Sequence, residues 1–337
     1  MSTHQANKNL STQIKAYTQS LATVTDKRAL LAILDKLATL PQPIRYHYRQ
    51  RWIACTAGLV LSGLLALLCY HYGLPPAWFG LPAGLGLMSV IPLLLAWLNV
   101  HRLHAFTQAL YWHNALLDNA LQIVPHNDGA ITKGWQQHFA ELQRGNHQRE
   151  FRQLIRGHFT GAEHQFYYHY FHFHYVNKRT QVTTNGKGQV QTRTVYDHFD
   201  RYGLIIPFAY CRNLFITAFA ADGIKGERYT SDSGRFNKLF QVRAADTMQA
   251  ARFLKPAVII ALEEQATALK QLNLAFSEQG ELCISFADKD VLDSKPAYGL
   301  DQLTLFRQSI EQPTALPKLS QLLATVHQLL RHSDSNF

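Results

Sequence analysis

Residues 52–72 read WIACTAGLVLSGLLALLCYHY and residues 77–100 read AWFGLPAGLGLMSVIPLLLAWLNV, and neither run carries a formal charge. A helix needs about 20 apolar residues to cross bilayer hydrocarbon, so the two runs predict membrane spans over 52–72 and 77–100. Only Gly73, Leu74, Pro75 and Pro76 separate them. A turn that short predicts an antiparallel transmembrane hairpin with both ends on one side. Arg45, Arg49 and Arg51 precede the first run and Arg102 follows the second, whereas the turn has neither lysine nor arginine. The positive-inside rule then places both termini in the cytoplasm. Trp52, Tyr70, Tyr72, Trp78 and Trp97 fall near the expected interfaces, where amphipathic rings are favoured.

Ala54, Gly58, Ser62 and Ala66 recur every four residues, and Gly80 and Gly84 make a G-x-x-x-G step. Small faces of this kind let two helix backbones approach, and packing within the hairpin is expected ahead of dimerisation, although a homo-oligomer stays open. Pro82 and Pro92 are expected to bend the second span. No Asp, Glu, Lys or Arg lies inside either run and His71 stands at the edge, which argues against an ion or proton relay.

The 337 residues carry 33 lysines and arginines against 23 aspartates and glutamates, a net charge of +10. The excess sits in residues 1–255, and residues 256–337 are net acidic. A basic middle beside an acidic end reads as internal complementarity as readily as a partner surface. Cys55, Cys69, Cys211 and Cys283 are far apart and form no C-x-x-C pair, so no zinc or disulfide framework is written here. Lys8, Lys15, Asp26, Lys27 and Arg28 ahead of the first apolar run argue against a cleaved signal peptide.

Outward from the hairpin, the expected organisation is a cytoplasmic amphipathic helical segment over 1–44, the hairpin with its flanks over 45–104, a helical stalk over 105–156, a cytoplasmic α+β domain over 157–331 and a tail over 332–337. Leu30, Leu31, Leu34, Leu37 and Leu40 have helical spacing after Thr25 or Asp26 as cap. A helix is also expected from Thr132 to Arg156. The aromatic run from Phe159 to Val176 predicts one long strand. Asn185 to Gly188 predicts a tight turn joining Gln181–Thr184 to the strand over 189–196. Further strands fit 203–210, 213–219, 272–276 and 282–286, and helices fit 247–254, 256–270 and 318–331. The fold class is α+β with an antiparallel sheet.

His172 and His174 share one strand face with Tyr170. An H-x-H pair can begin a metal site, with Asp197, His198 and Asp200 of the neighbouring strand as further candidates. A complete site needs a third ligand and an orienting shell, and no motif supplies one, so sheet packing is the preferred reading. Lys178, Arg179, Lys187 and Arg193 gather around the predicted hairpin turn and offer contact to an anion, with lipid headgroups favoured over nucleic acid. The glycines of DGIKGERYTSDSGRF lack phosphate-loop and dinucleotide spacing, and there is no G-x-S-x-G elbow. No catalytic residue and no cofactor is expected.

Residues 227–262 read ERYTSDSGRFNKLFQVRAADTMQAARFLKPAVIIAL. Within them Phe236, Asn237, Lys238, Phe240 and Val242, then Asp246, Ala251, Arg252, Leu254 and Pro256, resemble the signature of a bacterial membrane family described as domain of unknown function 3137, and Gly203 leads a fitting strand. The chain departs from that pattern at Gly234 and Arg235, where an acidic residue is usual. The resemblance implies two transmembrane helices followed by a cytoplasmic α+β domain in a bacterial inner membrane, and it brings no activity. Read physically, Phe236 and Phe240 lie one helical turn apart and anchor a short helix, Asn237 bonds backbone, Asp246 caps a helix and Pro256 opens the next. A pocket of Asn237, Asp246 and Arg252 ranks below packing. These readings together lead to a membrane-tethered binding or scaffold module. It contacts membrane lipids through residues 52–100 and presents its domain to a protein or to anionic headgroups. The alternative is a metal-binding protein or enzyme built on the histidine strand.

Overall fold

The structure, a computed structural model, describes residues 3–125, 129–184, 190–219 and 223–334. In chain order the elements are α1 (Thr3–Leu21), α2 (Lys27–Ala38), α3 (Arg49–His71), α4 (Gly80–Asp118), β1 (Gln122–Ile123), α5 (Gly129–His138), β2 (Gln148–Thr160), β3 (Gln165–Thr184), β4 (Val190–Pro207), β5 (Leu214–Thr217), β6 (Glu227–Tyr229), α6 (Gly234–Leu239), β7 (Gln241–Ala244), α7 (Thr247–Phe253), α8 (Pro256–Ala268), β8 (Asn273–Phe276), β9 (Glu281–Phe286), α9 (Leu303–Glu311) and α10 (Pro317–Asp334). The class is α+β. The chain divides into two units, one of Met1–Asp118 with Ser294–Thr314 and one of Asn119–Asp293 with Ala315–Phe337.

In the first unit α3 and α4 pair as an antiparallel hairpin, both long and apolar enough to cross a membrane. Gly58 approaches α4 so closely that an added Cβ would lie 2.4 Å from Ser89 Oγ. Ser62 Oγ donates to the Pro82 carbonyl at 2.6 Å. The small stripe of α3 is therefore used inside the hairpin, while Gly80 and Gly84 have open space where a side chain would be. Gly73 takes φ +60° in the connection, a conformation that favours glycine. A 3-10 turn, Pro76–Phe79, leads into α4. Pro82 falls in the first helical turn, where no backbone bond is lost, and α4 continues through Pro92.

The rest of this unit is an all-helical core. Asp26 caps α2 by accepting from Ala29 N at 2.7 Å, a stabilising N-terminal arrangement. Leu30, Leu34 and Leu37 bury their stripe against Ile14 of α1, Phe106 and Leu110 of α4 and Phe306 and Ile310 of α9. Asp118 ties the ends together by accepting from Lys27 Nζ at 2.6 Å, Asn114 Nδ2 at 2.8 Å and Thr314 N at 2.9 Å. The stalk expected over 105–156 is thus replaced. Residues 105–118 are the packed end of α4, and 294–314 leave the α+β domain to complete the helical one.

The second unit is a nine-stranded antiparallel sheet of order β1-β2-β3-β4-β9-β8-β5-β7-β6. Two expectations fail here. The helix over 132–156 ends at His138, and Gln148–Thr160 is strand β2. Helix-forming Gln, Arg and Leu are overridden by pairing with β3, because propensity is a weak prior against tertiary contact. The single strand over 159–176 is two strands joined by a tight turn in which Gly161 N donates to the His164 carbonyl at 2.9 Å. A Cβ on Gly161 would meet His327 at 2.6 Å, so the turn has room only for glycine there. The predicted turn at Asn185–Gly188 lies outside the described residues.

One sheet face buries Phe171, Phe173, Tyr175, Ile205, Ala275 and Cys283 under Trp135, Phe139 and Leu142, which come from α5 and the segment after it. On the other face Phe253 of α7 packs on Phe276, ring centroids 4.9 Å apart. Gln265 of α8 donates to Thr325 Oγ1 of α10 at 2.7 Å.

Candidate functional site

Register brings the histidine strand and β4 together. His174 pairs with Asp200, His172 with Tyr202 and Val176 with His198, so all these side chains share a face. Asp200 Oδ1 accepts from His172 Nε2 at 2.7 Å and from His174 Nδ1 at 2.9 Å, and His174 Nε2 lies 3.2 Å from His198 Nδ1. His172 stacks on Tyr202 with centroids 4.5 Å apart. Arg152 approaches the same carboxylate at 3.6 Å and holds Glu150 at 2.9 Å. Burial would raise the Asp200 carboxyl, but hydrogen bonds and positive charge from His172 and His174 outweigh it and hold it below the ordinary carboxylate range. Asp197, by contrast, pairs with Arg179 at 2.5 Å on the opposite face.

As chemistry this is a hydrogen-bonded chain in which one carboxylate orients two imidazoles and the buried His174 passes the chain to exposed His198. A carboxylate behind a histidine is also how metal ligands are oriented. Two of the ring nitrogens are already given to Asp200, however, and among the described residues no group of three or more His, Cys, Asp or Glu is placed to hold a metal ion.

The basic residues fall on an arm. From Asn177 opposite Asp197 to Thr184 opposite Val190, β3 and β4 pair only with each other. At 3.4 Å per residue this two-stranded ribbon is roughly 25 Å long. Lys178, Arg179 and Arg193 lie along it and are exposed; Lys187 lies outside the described residues. Asn146 anchors the arm's base, accepting from Lys178 N at 2.7 Å and donating to its carbonyl at 3.1 Å.

The F-N-K-x-F-x-V stretch folds inward. Phe236 and Phe240 are buried with ring centroids 5.0 Å apart. Asn237 accepts from Ser231 N at 3.1 Å and donates to its carbonyl at 2.7 Å. Asp246 caps α7 at Met248 N, 2.9 Å, Pro256 opens α8, and Arg252 is exposed on α7. Asn237 and Asp246 are thus spent on local backbone.

Sequence reasoning missed a charged network on the inner face. Buried Arg201 donates through Nε to Glu141 Oε1 at 2.6 Å, through Nη2 to the Gln271 carbonyl at 2.9 Å and Ser285 Oγ at 3.0 Å, and through Nη1 to Gln271 Oε1 at 3.3 Å. Arg144 and Asn273 donate to Glu141 Oε2 at 2.9 and 3.0 Å. Burial would raise the Glu141 carboxyl, yet Arg201 and Arg144 hold it below the usual range. The legible signal is alternation, which points Arg201 to the face of Phe171 and Phe173. Also missed was Glu281, whose two oxygens accept from Trp135 Nε1 at 3.2 Å and His138 Nδ1 at 3.1 Å. Comparison with protein-family models, curated proteins and solved structures finds no match.

Proposed function

We propose that this chain is an integral protein of a bacterial inner membrane, anchored by the α3–α4 hairpin with both termini cytoplasmic. On this reading the sheet-bearing unit is a binding or scaffold module. The observation that carries the anchor is outward apolarity. Only 6 % and 17 % of the most apolar windows of the two helices are buried. Ile53, Val60, Leu64, Leu67, Leu87 and Leu94 are all exposed. A core helix of a soluble protein hides such side chains, whereas lipid covers them at no cost. The arginines at positions 45, 49, 51 and 102 mark the cytoplasmic end. The bacterial setting rests on the resemblance around Phe236 to Val242, and we place the chain beside that two-helix family on this basis.

The module's partner contact is assigned to the β3–β4 arm, whose Lys178, Arg179 and Arg193 suit an acidic protein surface or anionic headgroups. In the test, membranes are washed with alkaline carbonate and topology reporters are fused at residue 74 and at the C-terminus. The protein stays in the pellet and the reporters lie on opposite sides. Release into the supernatant, or reporters on one side, refutes the anchor. A photo-crosslinker at Thr192 then captures a recurring protein or lipid in intact membranes, and a random capture profile refutes the arm. The alternative, a metal-binding protein or enzyme at His172 and His174, has the Asp200-oriented chain in its favour. Stoichiometric metal in untagged protein, lost in H174A, would establish it.

A further inference from the structure

One register row crosses the sheet as Arg228, Arg243, Phe215, Ala275, Cys283 and Ile205. Residues paired in this way point to one face. The inner members of the row lie under Trp135, Phe139 and Leu142, but at its end Arg243 and Arg228 are exposed. Two guanidinium groups directly opposite each other on neighbouring strands repel. Neither has a carboxylate partner among the described residues, and Arg243 instead donates to the Gly226 carbonyl at 3.2 Å. Lys225, one position earlier, is also exposed and has no ion pair among the described residues. Three cations are thus gathered without an ion pair among the described residues.

Next to them opens a cavity of about 300 Å³ lined by His138, Ala140, Asn213, Phe215, Lys225 and Gly226 among others. His138 is the built part of this site. Its Nδ1 donates to Glu281 Oε2 at 3.1 Å, and Glu281 is fixed in turn by the Trp135 indole N–H at 3.2 Å. That bond sets the ring's orientation and tautomer. Nε2, which has no partner among the described residues, is left as an acceptor for a ligand hydroxyl. Phe215 and Ala140 supply an apolar wall.

We propose that this cavity binds a small molecule through a phosphate-type dianion, with Lys225 in the lining and Arg243 at the rim beside Gly226 taking the charge, and Phe215 the carbon part. Cations without an ion pair among the described residues favour a dianion over a single carboxylate, and the guanidinium fork matches its oxygens. The assignment is independent of the membrane anchor and of the arm. Two sources share this chemistry, a soluble phosphomonoester and the headgroup of phosphatidic acid.

The test is calorimetric titration of the full chain in phosphatidylcholine nanodiscs with glycerol phosphate, repeated with nanodiscs containing phosphatidic acid. Saturable binding is expected. K225A and R243Q each weaken it about tenfold or more, the size of one lost charge-assisted hydrogen bond, while R243K recovers part of it and K178A on the arm changes nothing. Both altered residues are exposed, and unchanged thermal unfolding of the variants verifies the fold. Binding of glycerol phosphate assigns a soluble ligand. A lipid-only signal that disappears in K225A and R243Q assigns a headgroup. Absence of binding to both probes, or binding that K225A and R243Q leave intact, overturns the site.

Discussion

Replacing Glu141 with leucine removes the carboxylate that three donors share. Arg201 loses its 2.6 Å partner and Arg144 and Asn273 lose theirs at 2.9 and 3.0 Å. Arg201 is 1 % exposed, so water cannot replace what is lost. What remains to it is the Gln271 carbonyl, the Gln271 side-chain Oε1 and Ser285 Oγ, which are dipoles and not a counter-charge. Stranding a buried charge by deleting one partner costs about 3 to 5 kcal/mol. At about 3 °C per kcal/mol for a unit of this size, Tm falls by roughly 10 °C. The double variant E141L/R201M removes both charges and returns most of that loss, because a buried pair replaced by apolar groups of similar volume is often neutral. Urea unfolding of the full chain in detergent, followed by hydrogen exchange at β9, gives the cycle. The sign of the pH effect is also set. The Glu141 carboxyl is lowered in the folded protein, so its contribution is complete above the ordinary carboxylate pKa and lost as pH falls through the lowered one. E141Q therefore removes part of the acid sensitivity seen in wild type. A single variant within 1 kcal/mol of wild type, or a double variant as damaged as the sum of its singles, refutes the network.

Three further outcomes are expected. A Cβ at Gly86 would lie 3.9 Å from Ser62 Cβ, within the range that a disulfide bridges, so S62C/G86C cross-links in a background with Cys55 and Cys69 replaced by serine, and adding G58L abolishes the cross-link on non-reducing gels. In G203A the new Cβ would sit 2.1 Å from the Ile284 carbonyl oxygen, forcing β4 from β9 and costing about 2 kcal/mol or more in urea unfolding. Burial pushes the Cys211 thiol up to about 12 and Cys283 well above the ordinary thiol value, so at pH 8 both resist iodoacetamide in native protein and label within minutes once it is unfolded, as mass spectrometry reads directly.

The hairpin was legible because its signal is local and long, two uncharged runs with a four-residue break. The His174–Asp200 neighbourhood was legible too, since the predicted hairpin carries His198 and Asp200 back past the histidine strand. What escaped reading was non-local. Trp135 and His138 meet Glu281 across more than a hundred residues of chain, and no spacing rule links them. Strands β6 and β7 are three and four residues long, too brief for periodicity to register. In α9 the stripe of Leu303, Phe306 and Ile310 is visible, but its partners Leu30, Leu34 and Leu110 come from the first third of the chain. Residues 148–156 of β2 read as helix because their Gln, Glu, Arg and Leu residues favour one, and only β3 decides otherwise.

The interleaving of the two units has a consequence for synthesis. The chain passes out of the helical unit at Asp118, returns for Ser294–Thr314, and leaves again. A ribosome thus releases α1, α2, α3 and α4 long before α9 exists, and the core around Phe106 and Leu110 waits without Phe306 and Ile310 while the whole sheet is made. The helical unit is the first to start and cannot be the first to finish. A stop codon anywhere before residue 294 leaves that helical face open, so truncated products expose an apolar surface that marks them for degradation.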